Sequence, residues 1–314
     1  WHPEYRLRKG LILVALLVLL NVLTITSMLG INPFRSFWSS PDRMTGLYTL
    51  WHFFVYFLML YSLRKEFNWQ KYFKFLFGVS LIVALFVLVQ KVAPGFFLSG
   101  EASRPGSFLG NPSMLAGYLI FNIFLGAWLG AISTGWQKWL FYLAAGYEAF
   151  AIFLGSTRGA MIGLALGALV FLVYKAYTPY KTYRSLKNSA AIILVALVIF
   201  AGIFMATRSA AIWQSIPGLD RLASISKTEG SINNRLIVWG LAVGSCKQSP
   251  IIGNGWENFK YTFDSRYDPK LFRSGFGETF WDRPHNVFLE YLAASGLLGL
   301  LAYLGVLAAA AYVI

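Results

Sequence analysis

The chain has 314 residues, of which 57% are hydrophobic and 13% charged, and its mean hydropathy is +0.57. An ordinary soluble domain is about 25% charged, so these values exclude a soluble globular protein and describe an all-α, polytopic membrane protein. A net charge of +14 would suggest nucleic acid in a soluble chain. In a membrane protein it points instead to the Lys/Arg bias of cytoplasmic loops and to an anionic substrate. The single cysteine, Cys246, excludes an internal disulfide, and His2, His52 and His285 have no metal-binding spacing; neither a metal nor a cofactor is expected. The chain begins at Trp1 and stops at Ile314 inside an apolar run, which reads as cuts in a longer protein.

About 20 apolar residues cross a ~30 Å hydrocarbon core. Such runs fall at about 11–29, 46–62, 74–90, 113–132, 138–155, 159–174, 190–206 and 286–312, a bundle of about eight spans. Orientation follows Lys and Arg in short loops. The N-terminal side receives Arg6, Arg8, Lys9, Arg64, Lys65, Lys71, Lys74, Lys138, Lys175, Lys181, Arg184 and Lys187. The other side receives only Arg35, Arg43, Lys91, Arg104 and Arg158. The N-terminus is therefore expected in the cytoplasm.

That count divides the chain into membrane helices over 1–206, a large extracytoplasmic loop over 207–285 and a last membrane helix over 286–314. The loop holds Ile212, Trp213, Leu236, Ile237, Val238, Trp239, Ile251, Ile252, Trp256, Phe259, Tyr261 and Phe263, too many large apolar residues for a solvated coil. It is expected to fold as a helical cap against the membrane face. Ser231 or Asn233 would cap a helix over 234–248, closed by Pro250 and the Gly253-Asn254-Gly255 turn. Its short apolar core favours an interfacial helix; a ninth span there would place His285 in the cytoplasm.

Chemistry-bearing residues on the exterior side are few. Arg158, in Gly155-Ser156-Thr157-Arg158-Gly159, lies where two apolar segments meet. It either snorkels to the headgroups or grips a phosphate bidentately beside glycines that let backbone come close. Arg235 is placed in the first turn of the loop helix, where a cation is unfavourable for the helix but suited to an anion site. Glu278-Thr279-Phe280-Trp281-Asp282-Arg283-Pro284-His285-Asn286 gathers two acids, an arginine and a histidine before the last span. His285 is a candidate proton acceptor or simply a helix cap; Phe280 and Trp281 read as interfacial belt residues or sugar-stacking rings. Glu148, inside the fifth span, is a relay acid or an interhelical hydrogen-bond partner. The segment from Pro105 to Pro112 reads as a turn, and Cys246 as a small buried residue.

Gly110-Asn111-Pro112, Ser156-Thr157-Arg158-Gly159, Arg235 with Trp239, Pro250-Ile251-Ile252-Gly253-Asn254-Gly255 with Phe259, and Pro284-His285-Asn286 before a helix with Gly296 and Gly299 together resemble the O-antigen ligase and O-antigen polymerase superfamily. The resemblance covers residues 105–310. It implies a metal-independent, inverting glycosyltransferase of the bacterial plasma membrane, acting on the outer face in lipopolysaccharide or other polysaccharide biosynthesis. The donor would be a glycan on undecaprenyl diphosphate, and the acceptor hydroxyl would belong to lipid A core, another repeat unit or a protein. Arg158 and Arg235 match the arginines assigned to the diphosphate, and His285 the histidine assigned to the acceptor or to catalysis. Asp282 and Glu278 are the accompanying candidate acids, with Arg283, Asn286 and Trp239 as further candidates. Competing readings are a lipid or polysaccharide transporter, a protein O-oligosaccharyltransferase and a non-catalytic assembly subunit. The predicted orientation is open to direct test. In a Cys246→Ala background, Ser265→Cys will react with a membrane-impermeant thiol reagent in intact cells with a permeabilised outer membrane, and Ser185→Cys will not. The opposite pattern reverses the topology.

Overall fold

The computed structural model describes residues 7, 9–63, 67–93, 104–177, 196, 199–200, 202–216, 219–223, 230–274 and 280–313. In chain order the helices are α1 (Leu11–Met28), α2 (Pro33–Trp38), α3 (Leu47–Ser62), α4 (Trp69–Val92), α5 (Pro112–Ile132), α6 (Gly135–Leu154), α7 (Arg158–Tyr177), α8 (Ala211–Ser215), α9 (Leu219–Ala223), α10 (Gly230–Cys246), α11 (Phe259–Ser265) and α12 (Val287–Val313), with no strand among the described residues. Several starts are written in the sequence: Asn32, Asn68 and Asn111 cap α2, α4 and α5 through their side chains, and Pro33 and Pro112 follow at the first turn.

Among the described residues four helices, α1, α4, α5 and α12, are long and apolar enough to cross a membrane. Of the other expected spans, Leu47–Ser62 and Arg158–Val173 are shorter apolar helices, and α6 reaches 20 residues without the same apolarity. Most of the expected 190–206 span lies outside the described residues. The chain is a membrane protein in which, among the described residues, four helices meet the length and composition of a full span.

The chain forms two compact units, one of Trp1–Phe67 with Ser226–Ile314 and the other of Asn68–Ile225. In the second, Ala84 and Val87 of α4, Leu115 and Leu119 of α5, Ile152 of α6 and Met161 of α7 share one buried cluster. Glu148 is fully buried in α6 and accepts a 2.6 Å hydrogen bond from Ser80 of α4, the interhelical contact open at its position. The 105–112 segment is structural: the Ser107 amide donates to Gln90 Oε1 at 2.9 Å and its hydroxyl to the Val83 carbonyl at 2.7 Å.

The first unit is organised around a break in its last helix. Ser295 and Gly296 leave helical geometry, Gly296 at φ 61°, ψ −156°, a region open essentially to glycine alone. The break frees backbone groups that hydrocarbon cannot satisfy, at several kcal/mol each. The Pro250–Gly255 turn satisfies them. Asn254 and Gly255 amides donate to the carbonyls of Ala293 and Ala294 at 3.0 and 2.7 Å, and Leu297 and Leu298 amides donate to those of Pro250 and Ile251 at 2.8 and 3.3 Å. Such close backbones exclude side chains: a Cβ on Gly296 would lie 2.4 Å from the Ile251 carbonyl, and one on Gly253 2.6 Å from Ala294 C.

α1 closes over the splice. The Trp256 amide donates to Ser27 Oγ at 3.0 Å, Ile31 N to the Asn254 carbonyl at 2.9 Å, and Leu19 and Leu23 pack on Trp256 and Ala294. On the other side Val238 and Ala242 of α10, Phe259 and Phe263 of α11, Trp281 and Ala293 share a second core. Residues of 230–274 and 280–285 thus share a packed core, although Leu236 and Ile251 stay exposed. Trp281 is a core residue and not part of an interfacial belt.

The splice generates a stability prediction. Gly296→Ala will lose at least about 1–3 kcal/mol from backbone strain alone, with collision against Ile251 added, and will lower the melting temperature in detergent. Gly305→Ala, where a Cβ meets nothing within 4 Å, will leave it within a degree or so of the parent. Equal melting temperatures would show that the break does not depend on glycine.

Candidate active site

Helix α10 starts at Gly230, earlier than the expected Ser231 or Asn233 cap, so both of those residues lie inside the helix. Arg235 consequently sits in the second turn and not the first, and the dipole argument for it weakens. It is exposed and makes no hydrogen bond or ion pair among the described residues. One turn on, Trp239 donates its indole N–H to the Pro284 carbonyl at 2.9 Å, which ties α10 to the segment before α12.

That segment is fixed residue by residue. Asp282 accepts a side-on pair from Arg43, Oδ2 from Nε at 2.6 Å and Oδ1 from a terminal nitrogen at 3.0 Å. Arg283 pairs with Glu257 and with Glu290 of α12, the latter at 3.2 Å, and also donates to Thr45 Oγ1. Thr45 in turn donates to Glu257 Oε1 at 2.9 Å, and its carbonyl accepts the Trp256 indole N–H at 2.8 Å. Asn286 is the cap of α12, its Oδ1 accepting from the Phe288 and Leu289 amides at 3.1 and 3.4 Å.

The capping role is therefore taken by Asn286, which leaves the His285 side chain available for other work. His285 is exposed, at φ 51°, with its ring edge-on to Trp281 at 5.0 Å. Its ring makes no hydrogen bond among the described residues; both Asp282 oxygens are engaged by Arg43. Met44 and Glu257 also sit at positive φ, 51° and 63°. Non-glycine residues in this region are strained and persist where their surroundings over-determine them. Three such residues flank one cluster of charges, a pattern that marks functional sites.

The electrostatics favour a neutral imidazole. Loss of solvent around the ring lowers the His285 pKa below its ordinary value; Asp282 opposes this, while Arg43, Arg235 and Arg283 reinforce it. Burial pushes Asp282 up, but the bond from Arg43 and the charges of Arg43 and Arg283 outweigh it and hold the carboxyl below its usual range. Arg43 is held charged by the same bond. A neutral histidine facing solvent among cations can accept a proton from a hydroxyl, and an uncompensated arginine nearby can hold an anion. Among the described residues no group of three His, Cys, Asp or Glu is placed to hold a metal.

Arg158 belongs to the other unit. It opens α7 after the three residues that follow α6, with Ser156 among them at φ 49°, and is partly exposed. Among the described residues a Cβ on Gly159 would meet nothing within 4 Å and one on Gly155 only ordinary contacts. Glu278 lies outside the described residues. Sequence reasoning missed Arg43, Thr45, Glu257 and Glu290 as parts of this site. Arg43 had been noticed only as an exterior charge, and Glu257 stood unremarked two residues after a glycine turn.

Among curated proteins none gives a significant match. A family model described as O-antigen ligase matches residues 140–304, a stretch that takes in α7, α10, α11, most of α12 and every sequence-expected site residue. That match spans more than half of the chain, which therefore belongs to the O-antigen ligase family.

Proposed function

We propose that the protein transfers a glycan from undecaprenyl diphosphate to an acceptor hydroxyl at the outer face of the bacterial plasma membrane, with His285 as the general base. The observation that carries this reading is the placement of the solvent-facing His285 within the field of Arg235, a cation that no acid compensates among the described residues. Arg43 and Arg283 are matched by Asp282, Glu257 and Glu290, so of the arginines acting on His285, Arg235 is the one left to attract an anion.

In the proposed reaction the acceptor oxygen attacks the anomeric carbon, its proton passes to the free nitrogen of His285, and the bond from that carbon to the diphosphate breaks with inversion. The diphosphate leaves with the bonding electrons. Arg235 stabilises the charge that develops on it; a donor so placed is worth ~2.7–4 kcal/mol. Arg158 carries the same proposed role on the resemblance of its own motif alone. A positioned base contributes typically ~10²–10⁴ in rate. Asp282 acts on the base through charge and through Arg43; Glu278 is retained as a candidate acid from its sequence position. The acceptor class, whether lipid A core, a second lipid-linked repeat or a protein hydroxyl, is chosen outside these shared residues.

Purified variants at saturating donor and acceptor test the assignment. His285→Ala and His285→Gln will both lower turnover by ~10²–10⁴-fold, because glutamine hydrogen-bonds but does not take the proton. Arg235→Lys will lose most activity with charge retained, since an ammonium does not reproduce the planar fork. Wild-type turnover by His285→Gln would reduce the residue to a substrate-positioning role.

The pH dependence has a definite sign. Activity requires neutral His285, so it is lost as pH falls through the folded-state pKa, which lies below the ordinary ~6.5. Arg235 lowers that pKa, so Arg235→Gln will move the acid limb of kcat/KM to higher pH. A limb that stays in place would separate the limiting titration from His285.

A further inference from the structure

His285 is held without any hydrogen bond to its ring among the described residues, so its placement comes from the backbone on either side. Pro284 is tied by Trp239, Arg283 by Glu257 and Glu290, Asn286 by its own cap, and Asp282 by Arg43. The ties of Pro284 and Asn286 lead to residues after 230, and those of Arg283 lead both there and to Thr45. That of Asp282 leads wholly to the segment between α2 and α3, across 239 residues of sequence. It is part-buried, with Arg43 34% and Asp282 16% exposed.

We propose that Arg43 is a positioning residue for His285, acting through a bidentate latch onto Asp282. The proposal rests on the reading of His285 as the base. Three features carry it. The two hydrogen bonds fix both distance and plane of the carboxylate, three residues before the histidine. Met44, next to Arg43, and His285 both hold strained positive φ, so each end of the latch needs restraint to keep its geometry. Finally, the pair is internally neutral. An Arg43 meant chiefly to bind the anionic donor would be opposed by a carboxylate occupying one side of its fork, whereas an Arg43 meant to hold the carboxylate already does so through two N–H groups.

The test compares Arg43→Gln, Asp282→Asn and the exchanged pair Arg43→Asp with Asp282→Arg. Each single variant will lower kcat by on the order of 10²-fold, the usual cost of ångström-scale misplacement, with little change in donor KM. The exchanged pair will recover most of kcat. The acid limb of the pH profile will move up in Arg43→Gln and down in Asp282→Asn, because the two groups act on His285 with opposite sign while Arg235 and Arg283 stay in place. A general folding defect does not produce opposite shifts.

If Arg43 contacts the donor instead, Arg43→Gln will raise donor KM, Asp282→Asn will lower it by freeing the guanidinium, and exchange will restore nothing; that pattern overturns the proposal. A readout without transfer separates this idea from the function it rests on. In a His2→Gln, His52→Gln chain, diethyl pyrocarbonate modifies His285, and at alkaline pH the rate reports access to a neutral ring. Both single variants will quicken modification and the exchanged pair will return it to the parent rate. Normal transfer by His285→Ala would remove the base while leaving this readout standing, and unchanged modification in both single variants would remove the latch.

Discussion

The first unit depends on one backbone splice. A helix interrupted at Ser295 and Gly296 exposes carbonyls and amides that neither lipid nor an apolar core can satisfy, and the 250–255 turn supplies the missing partners through four hydrogen bonds. Once the turn is seated there, its next residues have little freedom. Trp256 is directed into the core beside α1, and Glu257 emerges at φ 63° facing Arg283 and Thr45. The same break sets where the first part of α12 begins, and therefore where Glu290 and the Asn286 cap lie. The charged cluster around His285 is a consequence of backbone pairing that involves none of its side chains.

The second determinant is charge balance. Burying an ion without a partner costs more than most single contacts return. Arg283 meets this with two acids and Thr45, and Arg43 with a side-on pair to Asp282. These pairs consume positive charge that a purely anion-binding site would keep free. Their effect is to make a rigid and nearly neutral frame, inside which reduced hydration and the field of three arginines lower the His285 pKa against the opposing charge of Asp282. Arg235, outside those pairs, then acts against a frame that does not attract cations of its own. On the proposed reading, rigidity and selectivity for an anion come from different arginines.

Much of this was legible in the sequence, and the limits are instructive. Asparagine–proline starts, apolar runs and the glycine turn announce their elements because their causes are local: a cap bonds within three residues and a span is a matter of composition. His285, Asp282, Arg283 and Asn286 stood out because they are contiguous. The break in α12 did not, since Ser295 and Gly296 interrupt an apolar run without a charge or a proline, and only the partner turn 40 residues earlier gives Gly296 its meaning. Pairings across sequence were equally hidden. Nothing near Arg43 names Asp282, and nothing near Glu257 names Arg283. The start of α10 was misplaced because Ser231 and Asn233 are good caps that α10 absorbs inside its first turns.

The region matched by the family begins at residue 140, yet its turn is completed by residues that precede it. Ser27 accepts from the Trp256 amide, Ser36 donates to the Trp256 carbonyl at 2.7 Å, Arg35 donates to the Glu257 carbonyl at 2.9 Å, and Thr45 joins Glu257 to Arg283. Gly30 has no side chain because Asn254 and Gly255 pass within 3 Å of where its Cβ would be. Each contact satisfies a polar group that the 250–257 segment cannot satisfy itself, and each lies within residues 27–45. The N-terminal helices are therefore more than a membrane anchor. They supply the hydrogen-bond partners without which Glu257 would not hold its strained backbone, Arg283 would lose its buried acid, and the turn bearing His285 would be free to move.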